Sequence, residues 1–151
     1  MKFIFLDFDG VLNNDIVGGL LLDPNCVELL NDLVRPDIKF VVSSTWRRSR
    51  TVDELTDVLQ SFGFKGEVFD KTPILDHDAV FRGNEIYKWM SDNNGLLGRQ
   101  QYKFTDYVIL DDDSDMLYWQ RNNFICVDAS TGITRSIIYQ CKRILKLDNW
   151  A

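Results

Sequence analysis

The chain predicts an α/β domain with a central parallel sheet layered between helices. Short apolar runs such as Phe3-Ile4-Phe5-Leu6 and Tyr107-Val108-Ile109-Leu110 have no polar side, as befits parallel strands covered on both faces. Segments with helical spacing and helix-start signals lie between such runs, which gives the strand–helix alternation of a parallel sheet. Several runs end abruptly in acids or hydroxyls. Open parallel sheets bind ligands beyond the carboxyl ends of their strands, so these endings mark the rim of a site.

Composition bounds the remaining possibilities. The chain has 151 residues, 45% hydrophobic and 26% charged, which fits one globular domain over residues 1–151 with a sizeable core and no second domain. A net charge of −6 argues against a surface that coats nucleic acid by bulk electrostatics, so any polyanion must be met by a local patch. Cys26, Cys126 and Cys141 are odd in number and widely spaced, which suggests neither a disulfide framework nor a zinc site. They read as reduced thiols of a soluble, cytoplasmic protein. No stretch approaches the ~20 apolar residues of a membrane helix, and the run after Met1-Lys2 is too short for a signal peptide.

The first strand is followed by a polar, glycine-containing segment, Asn13 to Leu20, expected to form an irregular turn and a small flap. Asp23-Pro24 caps and starts a helix striped by Val27, Leu30 and Val34, which Arg35-Pro36 ends. Ile38-Lys39-Phe40-Val41-Val42 is the second strand and runs into Ser43-Ser44-Thr45-Trp46-Arg47-Arg48. Thr51-Val52-Asp53-Glu54 is a capping box opening a helix that carries Leu55, Val58, Leu59 and Phe62 and stops at Gly63. Glu67-Val68-Phe69 is a short third strand, leading to a loop with the only histidine, His77. Its solitude excludes a multi-histidine metal site, and it reads as a surface residue. Arg82 to Ile86 opens a helix with Ile86, Trp89 and Met90 on one face, and Asn93 to Lys103 is a polar connection. Phe124 to Val127 is the last strand, before a closing helix with Ile137, Cys141, Ile144 and Leu145. Trp89, Tyr118 and Trp119 read as packing residues rather than a base-stacking platform.

The chemistry concentrates at two strand ends. Asp7 and Asp9 follow the first strand, and residues two apart in extended chain point the same way. Converging carboxylates repel, so they signal a metal site, a shared proton, or both. Tyr107 to Leu110 discharges into Asp111-Asp112-Asp113-Ser114-Asp115. Asp113 and Asp115 also suit the start of a following helix, where carboxylates favour the dipole. In a doubly wound sheet this strand can lie beside the first, which brings Asp111 and Asp112 to Asp7 and Asp9. Magnesium takes oxygen ligands and keeps several waters, so a few carboxylates suffice.

Asp7-Phe8-Asp9-Gly10-Val11 resembles the first motif of the haloacid-dehalogenase-like (HAD) superfamily, and the acidic pair 111–112 resembles its last. The resemblance spans essentially the whole chain. It implies a HAD-like Rossmannoid three-layer sandwich, and the short intervals after the first and third strands leave no room for a large cap domain. It also implies a Mg²⁺-dependent phosphatase working through an aspartyl-phosphate, with Asp7 as nucleophile and Asp9 as general acid and base. The metal would be held by Asp7, the main-chain carbonyl of Asp9, and Asp111 or Asp112. The family places a phosphate-binding hydroxyl after the second strand. Ser44 is favoured for it, with Ser43 and Thr45 as competitors, while Gly10 and a bidentate Arg47 join them as substrate-binding candidates. Where the family uses a basic residue, usually Lys, Arg82 is best placed, with Lys88 and Lys71 as alternatives. The segment around Ser44-Thr45-Trp46-Arg47, with Arg82 to Ile86 and the Asp triplet, is similar to stand-alone HAD domains of RNA-repair proteins. That similarity implies a phosphorylated nucleic-acid end or nucleotide as substrate. Two rivals stand beside this reading: a catalytically idle HAD-like binding module, and a receiver-type phosphoacceptor. The second is disfavoured because a receiver carries its phosphoacceptor on a later strand.

Overall fold

A computed structural model describes residues 1–15, 21–75, 80–93 and 107–147. Part of the expected flap (16–20), His77 and the connection from 94 to 103 lie outside the described residues. The strands are β1 (Lys2–Leu6), β2 (Ile38–Val42), β3 (Val68–Lys71), β4 (Tyr107–Asp111) and β5 (Phe124–Cys126). All neighbouring pairs are parallel and the order is β3-β2-β1-β4-β5, which puts the two acid-bearing strands side by side.

Strand alternation sorts the apolar side chains into two layers. Ile4 and Leu6 of β1, Phe40 and Val42 of β2, and Val108 and Leu110 of β4 share a cluster with α1 (Pro24–Leu30), α2 (Val52–Ser61) and α4 (Arg135–Ile144). Phe3 and Phe5, Val41, Tyr107 and Ile109 face the other way, onto Ile86, Trp89 and Met90 of α3 (Arg82–Asp92). Trp89 meets Phe3 and Phe5 edge-on at 5.3 and 5.5 Å, contacts worth about 0.5–1.5 kcal/mol each beyond their burial. The result is the three-layer α/β sandwich that the apolar runs predict.

The helix starts follow their caps. Asp23 accepts from Asn25 N at 2.9 Å, Thr51 and Glu54 form the reciprocal box, and Thr134 caps α4. Helix α1 is shorter than its apolar stripe: it tightens into a 3-10 turn over Asn31–Leu33, and Val34 is already extended. The third strand runs two residues past Phe69, to Lys71. All three cysteines are free thiols. No helix among the described residues is long and apolar enough to cross a membrane.

Candidate active site at the carboxyl edge of the sheet

The site forms where β1, β2 and β4 end. Asp7 leaves β1 with its N–H on Leu110 O at 3.0 Å, and Ser43 leaves β2 with its N–H on Leu6 O at 3.0 Å. Leu6 stands opposite both Val42 and Leu110, so one residue further Asp7 lies between Ser43 and Asp111. By alternation these three lie on the α3 side of the sheet.

Carboxylate oxygens of Asp7, Asp111 and Asp112 all lie within 4.8 Å of one another. Asp7 and Asp111 are buried, and Asp112 is the more open of the three. Arg82, on the first turn of α3, reaches them with Nη1, at 3.1 Å from Asp111 Oδ2 and 3.4 Å from Asp7 Oδ1. Lys88 instead pairs with Asp92 on the surface, and Lys71 Nζ donates to the Arg47 and Arg50 carbonyls. Of these three candidates, Arg82 is the one that reaches the trio.

Among the described residues one guanidinium faces three carboxylates, which it cannot balance, and the protonation equilibria reflect this. Burial raises the Asp7 carboxyl well above its usual range, with Asp112 adding to it, against Arg82 and the Phe8 N–H. Burial and the Asp7 charge raise Asp111 further, opposed by the Asp113 N–H and Arg82. Burial acts against the charge on Arg82, but Asp7, Asp111, Asp115 and Glu85 outweigh it and hold the guanidinium more firmly protonated. The cation is thus well satisfied while the acids are not. Hard oxygen donors, packed together with uncompensated negative charge, fit a divalent cation of the Mg²⁺ type.

Asp9 departs from the expectation that it points with Asp7. The chain turns after Phe8, whose carbonyl accepts from Val11 N and Leu12 N, so the extended alternation ends there. The Asp9 side chain is exposed, with Oδ1 accepting from Asn13 Nδ2 at 2.9 Å and Oδ2 from Trp46 Nε1 at 3.1 Å. Gly10 N donates to Asn13 Oδ1 at 2.7 Å, so this N–H is already spent inside the turn. Gly10 is instead required by shape. Its φ is +78°, and a Cβ there would stand 2.3 Å from Asp112 Oδ2.

The three hydroxyls of the run are placed differently from one another. Ser44 Oγ accepts from Trp46 N at 3.2 Å and caps the 3-10 turn Thr45–Arg48, and it follows Val42 onto the opposite side of the sheet from Asp7. Ser43, on the Asp7 side, has a buried Oγ with no partner among the described residues. Thr45 is exposed at the start of the turn.

Arg47 has its guanidinium donors engaged within the protein rather than free for a ligand. It is 2% exposed, and its N–H groups go to the Thr72, Ser43, Ser44 and Pro73 carbonyls and to Glu85 Oε1. All five donors of the guanidinium are consumed. Its place in the hydroxyl run suggested a phosphate ligand, whereas the fold uses it as an internal strut.

Four supporting residues escaped the sequence reading. Glu85 balances Arg47 and accepts from Leu75 N at 3.0 Å. Asp115 caps α3 rather than a helix after itself, taking Arg82 N at 2.9 Å on its carboxylate and Gly83 N on its carbonyl. Asn13 and Trp46 hold Asp9. The spacing Asp9-x-x-x-Asn13 and the place of Trp46 beside the hydroxyls were the only available signals. Tyr118 and Trp119, expected to pack, are 76% and 48% exposed, but Trp119 meets Tyr87 edge-on at 5.8 Å and the Arg121 guanidinium stacks 4.0 Å from the Tyr118 ring.

A 3-2-1-4-5 parallel sheet whose first and fourth strands deliver clustered aspartates to one edge defines a HAD-like Rossmannoid domain. More narrowly, the family model described as "HAD domain in Swiss Army Knife RNA repair proteins" matches residues 3–137, and the chain belongs to that family. Membership carries with it a general kinship to hydrolases of the phosphatase kind. No curated protein and no solved structure matches the chain.

Proposed function

We propose that the protein is a Mg²⁺-dependent phosphomonoesterase that works through an aspartyl-phosphate. The observation that carries this reading is the meeting of Asp7, Asp111 and Asp112 around the Arg82 guanidinium. Asp7, Asp111 and Asp112 are the residues that would hold Mg²⁺, with the Asp9 carbonyl as a further oxygen by family resemblance. Bound there, the ion supplies positive charge that lets an anionic carboxylate approach an anionic ester.

The chain's own groups account for the proton and bond bookkeeping. An Asp7 oxygen attacks phosphorus as the bond to the leaving oxygen breaks, and Asp9 gives that oxygen its proton. Water then attacks the phosphorus of the aspartyl-phosphate, Asp9 takes a proton from it, and Asp7 is released with inorganic phosphate. Arg82 offsets charge on the phosphoryl oxygens. Ser43 contributes a hydroxyl that has no acceptor among the described residues, and this favours it over Ser44 as the phosphoryl contact.

For the substrate we propose a phosphorylated nucleic-acid end or nucleotide. The family description supports it, as do the exposed Tyr118, Trp119 and Arg121, which offer rings and a cation for stacking bases. Hydrolysis of p-nitrophenyl phosphate and of 3′- and 5′-phosphorylated oligonucleotides, with and without Mg²⁺, tests both parts. Wild type turns over in Mg²⁺ and Asp7→Asn does not, while its melting temperature shows it folded. Activity retained by Asp7→Asn, or none in wild type with any phosphate, refutes the enzymatic reading in favour of a binding module.

A further inference from the structure

Asp9 is held unusually well for an exposed side chain. Each of its two oxygens accepts a separate donor, Asn13 Nδ2 at 2.9 Å and Trp46 Nε1 at 3.1 Å. The two donors do different things. Asn13 belongs to the same turn, so its bond fixes the carboxylate within residues 9–13, where it also accepts from Gly10 N, and it ties that turn to Leu21 O. Trp46 lies beyond β2, so its bond fixes the carboxylate relative to the sheet on which Asp7 sits.

Trp46 is itself immobilised from several directions. Its ring meets Phe8, the residue between the two acids, edge-on at 5.1 Å. The Arg50 guanidinium lies 4.8 Å from its ring centre, and its backbone N–H is bonded to Ser44 Oγ. The indole therefore grips the Asp7-Phe8-Asp9 segment at Phe8 by packing and at Asp9 by a hydrogen bond. An indole N–H can only donate, so it exchanges no proton with substrate or carboxylate. What it can do is restrict where the carboxylate points, and proton transfer demands reach of about 3 Å with correct aim.

We propose that Trp46 is a positioning residue that aims the Asp9 carboxylate at the leaving oxygen through its indole N–H. The inference rests on the aspartyl-phosphate reading and adds to it a specific demand on poor leaving groups. A p-nitrophenolate departs with little need of a proton, whereas an alkoxide departs only as it is protonated. Loss of aim at Asp9 must therefore widen the gap between aryl and alkyl esters.

The test is Trp46→Phe, which keeps an aromatic ring facing Phe8 and Arg50 and removes the N–H together with the second ring. The quantity read is the ratio of kcat/KM for p-nitrophenyl phosphate to kcat/KM for a simple alkyl phosphate in Mg²⁺, with Asp9→Asn as the reference for complete loss of the acid. In Trp46→Phe the ratio rises by about tenfold over wild type, in the direction that Asp9→Asn takes further. A ratio equal to that of wild type, whether or not both rates fall, means that the ring only packs, and overturns the proposal. Trp46→Leu, lacking both ring and N–H, must shift the ratio at least as far. A ratio that changes only in Trp46→Leu assigns the effect to packing and also overturns it. If Asp9→Asn itself leaves the ratio unmoved, or wild type hydrolyses neither ester, the parent reading fails and takes the inference with it.

Discussion

Ser43 and Ser44 are chemically identical neighbours with different fates, because a strand sends successive side chains to opposite faces. Ser44 Oγ is committed to capping the following turn, and its loss should act through that turn, costing about 0.5–2 kcal/mol of stability. Ser43 has a buried hydroxyl on the Asp7 side without an acceptor among the described residues. A hydrogen bond from it to a charged phosphoryl oxygen is worth roughly 1.5–3 kcal/mol, so Ser43→Ala should lower kcat/KM by about tenfold or more. Ser44→Ala should lower the melting temperature with a smaller effect on kcat/KM. Steady-state kinetics and thermal melts on the two variants distinguish them, and the reverse pattern would return the role to Ser44. Gly10 shows the same economy of space: no other residue admits Asp112 so close at a φ of +78°.

Helix α3 brings Arg82 to the acids, and its orientation depends on contacts at both sides of its first turn. Asp115 receives its first N–H groups, and Gly83 lies so close to the loop after β4 that a Cβ would stand 2.5 Å from Gln120 Oε1 and 2.7 Å from Leu117 N. One turn on, Glu85 pairs with Arg47 at 2.9 Å, and Arg47 in turn spans the carbonyls of the β2 and β3 endings. Both members of that pair are buried. Removing one strands the other's charge, so Glu85→Ala should destabilise the protein by roughly 3–5 kcal/mol. Urea unfolding measures it directly, and a midpoint unchanged from wild type would show that the pair does not brace the helix. Asn84, a neighbour outside this network, serves as the control for ordinary perturbation of the helix start.

The molecule as a whole carries the cost of its clustered acids. Asp7 and Asp111 have folded-state pKa values raised above the ordinary 3.8, chiefly by burial. A raised folded value means that the native state binds protons more tightly than the unfolded chain. The associated stability is fully present below the ordinary value and is lost as pH climbs through the acidic and neutral range. Asp111→Asn removes one of the offending charges. In metal-free solution it should therefore melt higher than wild type, by a margin that grows from pH 4 to pH 8. Mg²⁺ should narrow or reverse that margin by stabilising wild type alone. Calorimetry across that range, with chelator or Mg²⁺, checks the prediction, and a margin independent of both pH and metal would refute it. The site is then an instance of stability given up where charge must be gathered.

Much of this was legible in the residues, and the division has a physical basis. Local rules operate over a few positions, so the all-apolar strands, the Asp23 and Thr51 caps and the helix faces of Leu55, Leu59, Ile86 and Trp89 could be read directly from the chain. The acidic endings of β1 and β4 were visible for the same reason, and their meeting needed only the neighbour relation of a doubly wound sheet. Side-chain direction after a strand ends is another matter, because it depends on turns and on partners dozens of residues away. Asp9 turns to Trp46 instead of following Asp7, and Arg47 turns inward because carbonyls just beyond β2 and β3 and the Glu85 carboxylate converge on it. Asp115 caps a helix that precedes it in the chain, a pairing no local pattern encodes. Which acids, hydroxyl and guanidinium face one another is set by packing in three dimensions, since only there do non-neighbouring charges acquire a distance.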